Sequence, residues 1–127
     1  MARQQYVLDY IIKSSPAILY NFLATPSGLA QWFADEVDQH NDILTFVWEG
    51  YGEQAKILGQ EDDEFIRFEM ESGEAGEYLE FRIDKSEVTD DTILIVTDFS
   101  DEGEYDDIKR LWDSQIDTLL SRLGARN

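Results

Sequence analysis

The feature that most constrains the fold is an amphipathic segment near the end of the chain, residues 106–125. Acidic residues open it, Arg122 lies in what would be its last turn, and Gly124 can cap it, as a helix with its dipole favours. Its apolar residues recur at steps of three and four, the spacing of one helical face: Ile108, Leu111, Trp112, Ile116, Leu119, Leu120 and Leu123. The segment predicts one long helix that must cover an apolar surface.

Alternation with a period of two predicts strands before that helix. A first strand is expected at residues 5–13, and five more at residues 43–49, 53–58, 65–71, 78–84 and 92–99. The short connections between the last five predict an antiparallel meander. Alternation leaves open which face of the last strand points inward. The competing sets are Ile93, Ile95 and Thr97 on one face and Leu94, Val96 and Asp98 on the other.

Two short helices are expected between the first strand and the meander. Ser15 can cap the first, with Pro16 at its first position, and Thr25 with Pro26 repeats the arrangement. A half-apolar antiparallel sheet must bury one face, and the C-terminal helix supplies the cover. The prediction is an α+β fold in which a curved antiparallel sheet bends round the C-terminal helix. With 127 residues and no internal linker, residues 1–127 should form a single domain.

Composition limits the classes of function. Ten basic and 28 acidic side chains give a net charge of −18, which disfavours nucleic acids and anionic membrane surfaces as partners. Such charge serves solubility or attracts a basic protein. The absence of cysteine excludes disulfides and thiolate chemistry. No apolar run approaches the roughly 20 residues of a membrane span, and the first residues read as a strand, so we expect a cytoplasmic protein without membrane insertion.

Several motifs in a fixed order resemble the START-like superfamily, which has the helix-grip fold. The run IIKSSPAILYNFLATPSGLAQWF (residues 11–33) has a strand end, an "SP" helix and a short second helix closing in the aromatic pair Trp32-Phe33. A strand with Phe46 and Trp48, the segment 52–55 and the late strand TILIVTDF follow in the order of that family. The branch related to the activator of a heat-shock chaperone's ATPase is the most similar.

The resemblance implies a cavity between the sheet and the C-terminal helix. Members of the superfamily bind lipids, polyketides or hormones there, and a minority catalyse cyclisation or hydrolysis. The side chains expected to line such a cavity are Phe33, Phe46, Trp48, Phe68, Phe81, Trp112 and Ile116. Tyr51, Thr97 and Asp98 are candidates for polar anchors of a ligand. The alternative is that the same aromatic residues fill a dry core and leave no cavity.

No catalytic residue, metal site or cofactor is predicted. His40 is the only histidine and is expected in a surface loop, where a zinc site lacks further ligands and a role as general base is less common than a solvated side chain. The acidic clusters at residues 35–38, 61–64 and 101–107 are expected to be solvated turns rather than calcium or magnesium sites. No serine lies in a nucleophile-elbow motif.

Three functional hypotheses follow. The first is non-covalent binding of a hydrophobic or amphipathic small molecule or lipid in the implied cavity. The alternative is an acidic protein-interaction module without a cavity, which engages a basic protein partner, chaperone-linked partners included. The third is an enzyme of the cyclase or hydrolase type, which would need polar groups that the sequence does not identify.

Overall fold

Seven strands form one antiparallel sheet in residues 2–124, the part of the chain that the computed structural model describes. The ends of the predicted domain, residues 1 and 125–127, lie outside the described residues, as does the last residue of the predicted C-terminal segment. The elements run in the order β1 (Arg3–Ile12), α1 (Pro16–Ala24), α2 (Pro26–Leu29), β2 (Glu36–His40), β3 (Ile43–Trp48), β4 (Tyr51–Glu61), β5 (Phe65–Met70), β6 (Leu79–Lys85), β7 (Thr92–Asp101) and α3 (Tyr105–Leu123).

The sheet has the strand order β1-β7-β6-β5-β4-β3-β2. From β2 to β7 each strand pairs with the next one in sequence, whereas β1 pairs with β7. The register between β4 and β5 shifts between Ile57 and Gly59, and an irregularity of this kind bends a strand. The predicted α+β helix-grip fold, a curved antiparallel sheet with short early helices and a long C-terminal helix, is confirmed.

Strand β2 was not among the predicted strands. Its sequence, EVDQH, contains one apolar residue and shows no alternation, so only pairing with β3 defines it. His40 ends this strand and is exposed, and it does not lie in a loop as expected. The backbone N–H and C=O groups of this segment form their hydrogen bonds with β3, and the side-chain pattern gives no indication of this pairing.

The turn between β3 and β4 is shorter than the gap at residues 50–52 between the two predicted strands implies. Trp48 pairs with Tyr51, so the loop consists of Glu49 and Gly50, whose φ angles are 50° and 81°. Two positive φ values are characteristic of the tight hairpin turn whose twist matches that of the flanking strands. Tyr51 is therefore the first residue of β4.

The helices α1 and α2 begin as the sequence predicts. Ser15 Oγ accepts a hydrogen bond from the Ile18 amide, and Thr25 Oγ1 accepts one from the Gly28 amide at 3.0 Å. The two helices approach so closely at Gly28 that an added Cβ would lie 2.1 Å from the Asn21 carbonyl oxygen. The segment that follows α2 is thereby held against α1 and against the sheet.

Helix α3 covers the concave face of the sheet. Trp112, Ile116 and Leu119 are buried, whereas Leu111, part of the predicted apolar stripe, is 55% exposed. Gly124 caps the helix in the left-handed conformation, as predicted. Among the helices in residues 2–124, none is long and apolar enough to cross a membrane.

Two tyrosines on the inner face of β1 differ in their hydrogen bonding. Tyr10 Oη donates a hydrogen bond to Asp113 Oδ1 of α3 at 2.8 Å. Tyr6 is only 4% exposed, and its hydroxyl has no hydrogen-bond partner among residues 2–124. A buried polar group without a partner loses its hydration without compensation.

We predict opposite effects when each of these hydroxyls is removed. Tyr10→Phe should lower the free energy of unfolding by about 1 kcal/mol, because it breaks a tertiary hydrogen bond. Tyr6→Phe should leave it unchanged or raise it by up to about 1 kcal/mol, because it removes an unsatisfied group. Urea unfolding of the two variants measures both values. A loss in Tyr6→Phe as large as that in Tyr10→Phe would show that the Tyr6 hydroxyl has a partner in solution.

Candidate functional site: a cleft between the sheet and the last helix

A cleft of about 420 Å³ lies between the sheet, the segment after α2 and helix α3. Its walls are mainly apolar. Aromatic and aliphatic side chains come from all three parts: Phe33, Trp48, Leu79, Ile108, Leu111 and Trp112. This volume falls within the range of small-molecule sites in proteins.

The aromatic wall of the cleft is built around Phe33. Its ring stacks on that of Trp112 at 6.0 Å between centroids and meets the edge of Trp48 at 5.4 Å. The Trp48 indole Nε1 donates a hydrogen bond of 2.6 Å to the Phe33 carbonyl oxygen. Rings held by both stacking and hydrogen bonding form a wall that exists before any ligand arrives.

Among the described residues, 2–124, Asp98 of β7 is the only charged side chain that lines the cleft. Its Oδ1 accepts a hydrogen bond from the Phe99 amide at 2.8 Å, and its Oδ2 accepts one from Trp112 Nε1 at 3.3 Å. Burial raises the pKa of this carboxyl, and the two N–H donors oppose the change only in part. Asp98 therefore offers a hydrogen-bond acceptor in mainly apolar surroundings.

Three of the seven side chains predicted to line a cavity do line the cleft: Phe33, Trp48 and Trp112. The other four lie in the core and are at most 2% exposed: Phe46, Phe68, Phe81 and Ile116. The rings of Phe46 and Phe81 contact that of Phe33, at 5.0 Å and 5.9 Å between centroids, and the ring of Phe68 contacts both of them. A filled aromatic floor and an open cleft above it thus coexist.

The three candidate anchors lie in different places. Asp98 lines the cleft, and it lies on the inward face of β7, which also carries the core residues Leu94 and Val96. Thr97 points to the opposite face, because neighbouring side chains on a strand alternate, and it pairs in register with Glu80. Tyr51 is 82% exposed at the start of β4 and does not line the cleft.

Several lining residues were not among the candidates: Met70, Ser72, Leu79, Phe99, Ile108, Leu111 and Gln115. Alternation already places Met70 on the same face as Phe68, and Leu79 on the same face as Phe81. The helical periodicity likewise places Ile108 and Leu111 on the face of Trp112. The sequence therefore predicts the face on which each of these residues lies. It does not show where along the sheet the contact with α3 ends.

A larger depression of about 700 Å³ adjoins the cleft on the other side of Phe33 and Trp48. Its rim carries Asp35, Glu49 and Arg122 and is mostly polar. Water competes well for such a surface, so the apolar cleft is the better candidate for a ligand site.

The outer face of the sheet carries a buried carboxylate, Glu80. Arg67 Nη2 lies 2.7 Å from Glu80 Oε1, and Arg82 Nε lies 3.1 Å from Glu80 Oε2. The guanidinium groups also lie over aromatic rings, Arg67 over Tyr78 at 4.0 Å and Arg82 over Phe65 at 4.5 Å. Burial alone would raise the pKa of Glu80, but the hydrogen bonds from the two arginines lower it overall. Each charge has a partner here, which is typical of a structural cluster.

In residues 2–124 no group of three or more His, Asp or Glu side chains is arranged to hold a metal ion. His40 lies at the end of β2 and is not part of the cleft lining.

The comparisons with known proteins bear on the fold and the family. Residues 1–125 match a family model described as the START-like superfamily domain. A solution NMR structure of BfR322 from Bacteroides fragilis is 36% identical over 100% of this chain and 95% of that chain, with a TM-score of 0.70. No curated protein matches the sequence.

Two further structures are similar in fold at low identity. The Aha1 dimer from Colwellia psychrerythraea is 17% identical over 97% of this chain and 96% of that chain, with a TM-score of 0.74. Protein MLL2253 from Mesorhizobium loti is 14% identical over 98% of this chain and 99% of that chain, with a TM-score of 0.77. At these identities the likeness concerns the fold alone.

The contact between Asp98 and Trp112 generates a pH prediction. The indole N–H signal of Trp112 in NMR spectra should shift with pH as Asp98 titrates, at a pH above the ordinary aspartate pKa of 3.8. Because the folded-state pKa is raised, the stabilisation linked to this carboxyl is present below its unfolded pKa and is lost as pH rises through the folded pKa.

Trp48 supplies an internal control, because its indole donates to the Phe33 carbonyl oxygen, which does not titrate. Asp98→Asn should abolish the Trp112 transition. A Trp112 transition at or below pH 3.8 would contradict the effect assigned to burial.

Proposed function

The chain belongs to the START-like superfamily, and we propose that residues 1–127 form one cytoplasmic domain that binds a hydrophobic or amphipathic small molecule, or a lipid, in the cleft under α3. The observation that carries the proposal is the cleft of about 420 Å³ with apolar walls above a closed aromatic floor. The binding is non-covalent, and we assign no catalytic residue.

The packing around the cleft supports binding without large rearrangement. Phe33 and Trp48 are fixed by their hydrogen bond and ring contacts, and Trp112 is fixed by Phe33 and Asp98. A ligand that buries about 200 Å² of apolar surface would gain on the order of 5 kcal/mol before the cost of association. Assays should therefore cover protein concentrations in the micromolar range and above.

A second candidate function uses the acidic surface instead of the cleft. The net charge of −18 and the exposed carboxylates Glu36 and Asp38 on the edge strand β2 favour a basic protein partner, chaperone-linked partners included. Such an association would weaken steeply as salt screens the charges. Retention of a partner from the native lysate at low salt, and its loss at high salt, would support this candidate. The absence of any salt-sensitive partner would remove it.

Native mass spectrometry of protein purified from its own cells is the direct test of the proposed function. A stoichiometric mass that is released on denaturation would support the proposal and identify the ligand. The structure also allows a binding test that does not depend on retention of the natural ligand, because Leu111 lines the cleft and remains 55% exposed.

We predict that Leu111→Gln weakens the binding of a neutral apolar fluorescent dye about tenfold, a change of about 1.4 kcal/mol. The substitution removes apolar contact at the cleft wall, while the partial exposure of Leu111 limits any effect on folding. Val88→Gln is the matched control, because Val88 is 92% exposed and is not part of the cleft lining. Equal dye affinity in the two variants would place the dye elsewhere, and failure of the unsubstituted protein to bind it would count against the proposed function.

A further inference from the structure

We propose that the ligand of the cleft is an organic cation, an apolar or aromatic body carrying a protonated amine that contacts the Asp98 carboxylate. The proposal rests on the proposed function and narrows it to one chemical class. Its basis is that the lining of the cleft, as residues 2–124 form it, contains one carboxylate and no positively charged side chain.

Asp98 has hydrogen-bond acceptor capacity that residues 2–124 do not use. Each of its oxygens receives one N–H donor, from the Phe99 amide and from Trp112 Nε1. An ionised carboxylate can accept about four hydrogen bonds, so roughly half of its capacity remains. The hydrogen bonds from these two donors favour the ionised form of the carboxyl.

No lysine or arginine in residues 2–124 forms an ion pair with Asp98. Arg3 exerts a favourable charge effect on it, but its guanidinium is bound to Glu77 at 2.8 Å and to Asp101 at 3.1 Å. Glu77 opposes the effect of Arg3. The ligand would therefore supply the positive charge that pairs with Asp98.

A half-buried carboxylate in mainly apolar surroundings, without a countercharge, is unfavourable for the free protein. Burial raises the pKa of Asp98, which reflects this cost. The same fold provides the opposite case on its outer face, where Glu80 has two arginines. A bound ammonium group would form an ion pair with Asp98, as Arg67 and Arg82 do with Glu80.

The aromatic wall favours the same class of ligand. Ring faces carry partial negative charge and attract cations, tryptophan most strongly. Trp48 and Trp112 both line the cleft, and Phe33 lies between them in contact with each. A carboxylate headgroup would be repelled by the faces of these rings and by the Asp98 carboxylate.

The charge of the whole chain acts in the same direction. At −18, the protein attracts cations and repels anions before any contact is made. Fatty acids and other anionic amphiphiles are therefore disfavoured by the long-range field, by the aromatic wall and by Asp98.

Three probes with the same body and different headgroups test the proposal: phenylbutylamine, phenylbutanol and phenylbutyric acid. Their binding to the full chain at neutral pH can be followed through the indole N–H signals of Trp48 and Trp112 in NMR titrations. We expect the amine to bind about tenfold or more tightly than the alcohol, and the acid to bind most weakly. The Trp112 signal should shift most with the amine, because Trp112 Nε1 donates to Asp98, the carboxylate that the amine contacts.

Asp98→Asn should reduce the affinity of the amine to that of the alcohol and leave the alcohol unchanged. Asp106→Asn is the matched control, because it removes the same charge from an exposed position in the first turn of α3, outside the cleft lining. It should keep the preference for the amine. If Asp98→Asn does not fold, the ranking of the three probes on the unsubstituted protein decides the matter.

Equal affinity for amine and alcohol, tighter binding of the acid, or the same effect of the two substitutions would overturn the organic-cation proposal while the cleft remained an apolar site. If no probe moved either indole signal, this inference and the proposed function would both fail.

Discussion

The packing of Phe33 is the interaction on which the rest of the structure depends. Its ring contacts those of Trp32, Phe46, Trp48, Phe81 and Trp112, with centroid distances of 5.0 to 6.0 Å. Its carbonyl oxygen accepts hydrogen bonds from Trp48 and, at 3.5 Å, from Gln115 of α3. One residue thus joins the segment after α2 to the sheet and to the last helix. Each ring pair contributes about 0.5–1.5 kcal/mol beyond area burial, so the cleft wall is also a principal tertiary contact.

Two carboxylates of the sheet, the buried Glu80 and the half-buried Asp98, have opposite electrostatic environments. Glu80 on the outer face has two arginine partners and a lowered pKa, so its stabilisation is lost only as pH falls through the folded value. Asp98 on the inner face has N–H donors, no ion pair within residues 2–124, and a raised pKa. One arrangement is complete within the fold. The other has no ion-pair partner for Asp98 among residues 2–124, and this is the feature on which the proposed class of ligand rests.

Much of the fold could be predicted because its signals are local. Ser15 and Thr25 cap helices through contacts three residues away, and the periodicity of α3 spans five turns. Strand β2 gave no such signal, since Glu36 and Asp38 belong to a strand only through pairing with β3. Tyr51 was expected near a ligand, but the tight turn at Glu49 and Gly50 places it at the exposed start of β4.

The candidate site was predictable only in part because a cleft is a property of tertiary packing. Phe46 and Trp48 lie two residues apart on the same face of β3, yet Phe46 is fully buried and Trp48 lines the cleft. The difference depends on how far α3 extends over the sheet, which no local pattern encodes. On β7, alternation separated Thr97 from Asp98, but only the observed packing decided which of them faces inward.

The position of β2 at an open edge of the sheet has a consequence for the protein in concentrated solution. An edge strand exposes backbone N–H and C=O groups that can pair with the edge of another molecule, and charged side chains are a common protection against such stacking. Here the protection comes from Glu36 and Asp38 together with the charge of the whole chain. It is an electrostatic barrier, and the Debye length falls to about 10 Å at 0.1 M ionic strength. The resistance of this protein to edge-to-edge aggregation is therefore greatest in dilute buffer and declines in concentrated salt.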